Sequence, residues 1–232
     1  MQRIKKKNYL ESDRLGFNLF QIDDGYQEAW GDWSILNKKT FPRQTLYHIV
    51  SKIKEANMIG GVWMAPFACD KHSIVAKKHP NWILKAKGSK TKPSNSGNCG
   101  KWFYGLDITN KEVQNHIKEN IEVATKIWEF SYLKLDFLYV SCLGGVHESY
   151  KDRTLSKAQI IQLGMKLISE VAGDNVFILG CGAPLGSVIG YVHANRISSG
   201  KDLLFPLNFA IFNTIYRCRS ILAPRVSVTD IR

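Results

Sequence analysis

The segment Tyr132-Leu-Lys-Leu-Asp-Phe-Leu-Tyr139 is an apolar run interrupted by two charges, Lys134 and Asp136. Its aromatic and leucine content predicts a strand, and strand alternation sends both charges to the same face. Helical signals flank it on both sides. Upstream, Thr109-Asn-Lys-Glu112 has the form of a capping box, followed by Val113, Ile117, Ile121, Ala124 and Ile127 at helical spacing. Downstream, Ser156-Lys-Ala-Gln159 opens a second capped helix that carries Ile160, Leu163, Leu167 and Val171 and stops at Gly173. A buried strand between two helices implies crossover connections and a parallel sheet.

The pattern continues outward. Phe17–Ile22 predicts a strand that runs into Asp23-Asp24-Gly25, and a helix follows from Gln44 with Leu46, Ile49, Val50 and Ile53 on one face. Gly60-Gly61 opens the strand Val62–Ala65, which ends at Pro66. Val176–Leu179 is the next strand and leads into Gly180-Cys-Gly-Ala-Pro184; Val192–Ile197 is another. Leu204–Arg219 reads as a further helix, and a sixth strand is expected near Ile221–Val228. Residues 68–105 break the pattern as an irregular excursion, with the Lys-, Ser-, Asn- and Gly-rich part from Lys85 to Gly100 reading as a mobile loop.

A doubly wound sheet and a closed barrel both fit this order. No glycine-rich phosphate fingerprint follows any strand, whereas polar residues recur at successive strand ends, where a barrel gathers its active site. The expected fold is therefore an α/β TIM (β/α)8-type barrel formed by residues 1–232 as one partial catalytic domain. Eight strands are required and fewer are legible, so the barrel is expected to be incomplete, leaving exposed sheet edges.

Composition agrees with one such domain, since 232 residues with 44% hydrophobic content suffice for a sizeable core. The five cysteines form no CxxC pair, and His72, His147 and His193 have no ligand spacing, so no metal or cofactor is expected. A Cys69–Cys99 disulfide is open to an oxidising compartment. The net charge of +12 admits an anionic or nucleic-acid partner, but without a nucleic-acid motif a basic solvated surface is the favoured reading. Met1–Asn8 is basic but lacks a following apolar region, so no signal peptide is expected, and a cytoplasmic location follows only if Met1 is the genuine start. No apolar run is long enough for a membrane span.

Three groups of residues carry chemistry. An ammonium at Lys134 beside a buried carboxylate at Asp136 keeps the latter available as a nucleophile; a structural interior ion pair is the other reading. Asp23 and Asp24, turned by Gly25, offer neighbouring carboxylates to sugar hydroxyls or a divalent metal, or else cap a turn. Trp30, Trp33 and Trp63 lie at or beyond these strand ends; indoles stack on pyranose faces, yet buried tryptophans are also ordinary core. Trp63, just before the break at Pro66, is the better ligand candidate.

Phe20-Gln-Ile-Asp-Asp-Gly-Tyr-Gln27, Gly31-Asp-Trp33, Val62-Trp-Met-Ala-Pro-Phe67, Lys134-Leu-Asp-Phe-Leu-Tyr139 and Gly180-Cys-Gly-Ala-Pro-Leu185 together resemble glycoside hydrolase family 36, the melibiase superfamily of α-galactosidases and raffinose-type synthases. The resemblance implies a retaining enzyme acting on α-galactoside oligosaccharides, by hydrolysis or by galactosyl transfer. It makes Asp136 the nucleophile, and Asp23, Asp24, Trp63, Lys134, Cys181 and Arg196 the substrate-binding residues. A retaining mechanism needs a second carboxyl about 5 to 5.5 Å from the first. In the family it lies four residues after the arginine matching Arg196. Here that position is Gly200 and the nearest carboxylate is Asp202. Either Asp202 is the acid/base, or that group has been lost and the chain is an impaired galactoside-binding or degenerate barrel. The resemblance also implies that the first strand and the last strands of the barrel are missing or degenerate here.

Overall fold

The computed structural model describes residues 16–42, 45–98, 101–145, 149–196 and 229–231. In chain order the elements are β1 (Leu19–Ile22), α1 (Leu46–Glu55), β2 (Ile59–Met64), β3 (Ala68–Asp70), α2 (Ile74–Lys78), β4 (Asn95–Asn98), β5 (Lys101–Gly105), α3 (Lys111–Glu122), β6 (Tyr132–Leu135), α4 (Lys157–Ala172), β7 (Phe177–Cys181), α5 (Leu185–Val188), β8 (Ala194–Arg196) and β9 (Thr229–Ile231). Six of the strands form one parallel sheet in the order β8-β7-β6-β2-β1-β9. Successive strands are neighbours, and the last lies on the free side of the first. That is the strand order of a β/α barrel, here an incomplete one with β8 and β9 as its edges among the described residues.

The register sorts the side chains into two faces. Val62, Leu133 and Ile178 pair across the sheet, as do Met64 and Leu135, and these residues are at most 1% exposed. They join Leu46 and Val50 of α1, Val113, Ile117 and Ile121 of α3, and Ile160, Met165 and Ile168 of α4 in one core. Full burial of each such side chain contributes about 1.5–3 kcal/mol, which is the force that wraps the helices around the sheet. Glycine is required where Phe67 packs onto α4: a Cβ on Gly164 would lie 2.5 Å from Phe67 Cζ.

The inner face carries Gln21, Trp63, Lys134, Cys181 and Arg196, with Asp136 immediately beyond it. Lower on the same face, Tyr132 and Phe177 stack with ring centroids 5.3 Å apart, and a Cβ on Gly61 would come within 2.9 Å of Tyr132.

Three expectations change. The strand expected over 132–139 ends at Leu135, because Phe137 turns into the left-handed region (φ +53°) and Leu138–Cys142 coils into a 3-10 turn. α3 is capped by Asn110 rather than Thr109; the Asn110 side chain accepts from Glu112 N, and Thr109 bonds Asp107 instead. The excursion at 68–105 is built rather than irregular: β3, β5 and β4 form an antiparallel sheet. Its edge strand Asn95-Ser-Gly-Asn98 has no strand propensity of its own and is held by pairing with the aromatic Lys101–Gly105. Cys69 is a free, fully buried thiol. The expected helix at 204–219, the expected strand at 221–228 and His147 lie outside the described residues, as do Gly200 and Asp202. No helix among the described residues is long and apolar enough to cross a membrane.

Candidate active site

Five strands deliver the site, each from its carboxyl end. β6 brings Asp136, which is 6% exposed and continues the ladder by donating its backbone N–H to Met64 O at 2.8 Å. Its carboxylate accepts from three sources. Trp63 Nε1 of β2 donates to Oδ2 at 3.3 Å, and Phe137 N donates to Oδ1 at 2.8 Å. Arg196 Nη2 of β8 spans both oxygens, at 3.2 and 3.1 Å. These donors fix the plane of the carboxylate, since each oxygen has a separate anchor.

Phe137, whose N–H meets the Asp136 side chain, has a left-handed backbone. For a bulky residue this conformation costs roughly 1–2 kcal/mol. It is braced by Tyr139 N, which donates to Gly182 O at 3.0 Å, and by ring contacts of Phe137 with Trp30 and Phe103, at 5.3 and 5.0 Å. A strained residue next to a buried carboxylate is a recurrent feature of functional sites.

β1 supplies a pair of carboxylates at its end, Asp23 and Asp24. Lys134 Nζ donates to Asp23 Oδ2 at 2.9 Å, with the two side chains 7% and 17% exposed, and Gln21 Nε2 donates to the same oxygen at 2.9 Å. Asp23 Oδ1 accepts from Asp24 N at 2.8 Å. Asp24 Oδ1 in turn accepts from Gln27 Nε2 at 2.7 Å and Trp30 Nε1 at 2.9 Å. The two aspartates before the turn at Gly25 (φ +109°) are thus joined in one hydrogen-bonded group.

The tryptophans form the floor of this region. Trp30 and Trp63 have centroids 5.2 Å apart and Trp33 lies 5.7 Å from Trp63, with Phe103 and Phe137 completing the cluster. All three indoles are buried. Cys181, fully buried, ends β7 in register with Arg196.

The family profile for melibiase matches residues 3–183, most of the chain. The chain belongs to the melibiase family. Among curated relatives of this family, the α-galactosidase Mel36A of Lactobacillus acidophilus is 28% identical over 133 residues, which is 54% of this chain and 17% of the relative. The α-galactosidase AgaA of Geobacillus stearothermophilus is 26% identical over 129 residues, 53% of this chain and 17% of the relative. Among solved structures, the α-galactosidase TtGalA of Thermus thermophilus, in complex with p-nitrophenyl α-D-galactopyranoside, superposes with a TM-score of 0.72 at 31% identity. The match covers 84% of this chain and 38% of that one. The chain thus spans about a sixth of the length of these curated relatives and well under half of the solved structure.

Of the residues singled out in this melibiase-family sequence, Asp136, Trp63 and Arg196 meet in one contact network, and Asp23, Asp24 and Lys134 in another. The contact that sequence spacing proposed between Lys134 and Asp136 is redistributed: Lys134 reaches across to Asp23, and the guanidinium of Arg196 is the cation on Asp136. The separation of Lys134 and Asp136 along the strand allows this because Lys134 sits one pleat lower, opposite Trp63 in the register. Asp202 lies outside the described residues. Sequence reasoning missed Gln21, Gln27 and Trp30 as donors to the aspartates. Gln21 was findable, standing two residues before Asp23 and so on the same face.

Proposed function

We propose that this chain is the sugar-binding and nucleophile-bearing part of a retaining α-galactosidase, acting on terminal α-galactosides of oligosaccharides by double displacement. The single observation that supports this most is the anchoring of Asp136, a buried carboxylate at the end of a central barrel strand whose two oxygens are held by Trp63, Arg196 and Phe137 N. In the first step one Asp136 oxygen attacks the anomeric carbon as the bond to the leaving-group oxygen breaks, giving a glycosyl-enzyme. Asp202 is assigned the proton donated to that leaving oxygen and, in the second step, the proton taken from the attacking water. Asp23 and Asp24 accept hydrogen bonds from the galactose hydroxyls, Lys134 donates to them, and Trp63 and Cys181 shape the pocket wall. If a sugar hydroxyl replaces water in the second step, the same residues perform galactosyl transfer.

A second reading, a binder without turnover, is favoured by Gly200 at the position the family pattern reserves for the acid/base. Release of nitrophenol from p-nitrophenyl α-galactoside separates the two. The hydrolase reading requires turnover that disappears in Asp136→Asn, and with an unactivated galactoside a loss of roughly 10²–10⁴-fold in Asp202→Asn. Galactose binding by folded protein with no nitrophenol release overturns it in favour of the binder.

A further inference from the structure

Trp102 is the most exposed large hydrophobic side chain among the described residues, at 64%. It stands on β5 beside Phe103 but on the opposite face of the antiparallel sheet, so the two rings serve different surroundings. Phe103 points into the aromatic floor of the Asp136 site, 4.8 Å from Trp30, and Ser96, its partner on β4, bonds Tyr139 at 2.8 Å. Trp102 points away from that site.

The indole does not stand free of the hairpin. Its register partner is Gly97, and a Cβ at Gly97 would lie 3.1–3.2 Å from Cε3, Cζ3 and Cδ2 of the ring. The six-membered ring therefore lies flat over the glycine, one face fixed to the backbone and the other turned outward. Glycine at 97 is what permits this seat. On the same sheet face, Tyr104 is half-buried and its register partner Asn95 is exposed. Toward β3 the face is closed, because Cys69 is packed against Gly31 and Ser73; toward the edge strand β4 no described residue covers it, and Asn95 and Gly97 are exposed.

We propose that this open face is a second sugar-binding surface, in which the indole of Trp102 stacks on the apolar C–H face of a pyranose ring and the amide of Asn95 bonds its hydroxyls. A flat aromatic ring beside an amide suits a ligand that is apolar on its faces and hydroxylated at its edges. The seat on Gly97 fixes the ring before binding, which removes most of the side-chain ordering that stacking otherwise requires. The ligand class, an oligosaccharide, rests on the galactoside reading of the Asp136 site; the stacking itself does not. Because Phe103 and Ser96 tie the hairpin to the wall of that site, the surface holds sugar units other than the one on Asp136 at a fixed position relative to it.

The test is titration of the full chain with stachyose, followed by the indole N–H resonances of its tryptophans. Stachyose is expected to shift the Trp102 resonance, and Trp102→Ala to weaken stachyose binding roughly 3- to 10-fold, with Trp102→Tyr retaining most of it. Gly97→Val, which lifts the ring from its seat, is expected to weaken binding as well, while free galactose still shifts Trp63 in every variant. A Trp102 resonance that stachyose leaves in place, with wild-type affinity in Trp102→Ala, overturns the second surface. If Trp102 responds and Trp63 does not, the surface stands and the galactoside reading of Asp136 falls.

Discussion

The pair formed by Lys134 and Asp23 offers the sharpest test of how the site is assembled. Replacing Lys134 by Met keeps the volume of the stem and removes the ammonium, which leaves a carboxylate only 17% exposed without its cation. Breaking one side of a fully buried pair costs about 3–5 kcal/mol. Here the cost is lower, because Asp23 keeps Gln21 Nε2 at 2.9 Å and Asp24 N at 2.8 Å. With these two hydrogen bonds and partial exposure the carboxylate is not fully unpaired, which puts the expectation at or just below the low end of that range, about 2–3 kcal/mol. For a domain of this size that is a fall in Tm of about 4–12 °C. Asp23→Asn, which takes the charged partner from the Lys134 ammonium, should also destabilise. The double variant should then cost less than the sum, with a coupling of about 1.5–3 kcal/mol in urea unfolding followed by tryptophan fluorescence. Additivity within about 0.5 kcal/mol would refute the claim that these two strands are joined by this pair.

The remaining expectations concern the rest of the barrel. Gly164→Ala forces a methyl into Phe67 and should destabilise by about 1–3 kcal/mol in the same unfolding assay, where an alanine at an exposed helical glycine would stabilise. Burial, with Asp32 and Asp70 adding to it, pushes the Cys69 thiol up to about 12, so peptide mapping after iodoacetamide at neutral pH should find it unmodified in native protein and labelled only after unfolding. His116 and His193 are both held below the ordinary imidazole value of 6.5, mainly by burial. The unfolded chain therefore binds more protons than the folded one in this range, so their stabilisation is complete above about pH 6.5 and declines as the pH falls below it. Unfolding curves should show that decline, and His193→Gln, in which the acceptor Nδ1 of the bond from Ile178 N is replaced, should show a shallower one.

What could be read from the chain alone followed from periodicity. The helices at 46–55, 111–122 and 157–172 bury one stripe each, and the capping box at Ser156 and Gln159 forms as its spacing requires. The strands at 19–22, 59–64 and 177–181 are apolar runs between turn signals, so their order, and with it the barrel, was legible. The hairpin at 95–105 was not. Asn95-Ser-Gly-Asn98 has the composition of a loop, and only the pairing with β5 and the seat for Trp102 make it a strand. The break after Leu135 was equally hidden, because Phe137 is a residue that ordinarily continues a strand. Its left-handed turn is imposed from outside, by the Gly182 carbonyl and the aromatic cluster.

The exchange of cation partners in the site has a consequence for how the barrel and its chemistry depend on each other. Had Lys134 been the cation on Asp136, nucleophile and counter-charge would share one central strand, and the pair would survive any loosening of the sheet edge. Instead the guanidinium comes from Arg196, the last residue of the three-residue edge strand β8, at 3.1 Å. That strand is held to β7 by its ladder and, at its start, by two bonds with Ile178. His193 N donates to Ile178 O at 2.9 Å, and Ile178 N donates to His193 Nδ1 at 3.0 Å. The ring of His193 also stacks on Phe177, with centroids 5.0 Å apart. β8 is an edge strand among the described residues, and its pairing with β7 and these contacts at its start contribute to the position of Arg196. The geometry of the Asp136 carboxylate is thus coupled to an edge of the sheet, whereas the Asp23–Lys134 pair is carried by β1 and β6, with β2 between them, and does not share that dependence.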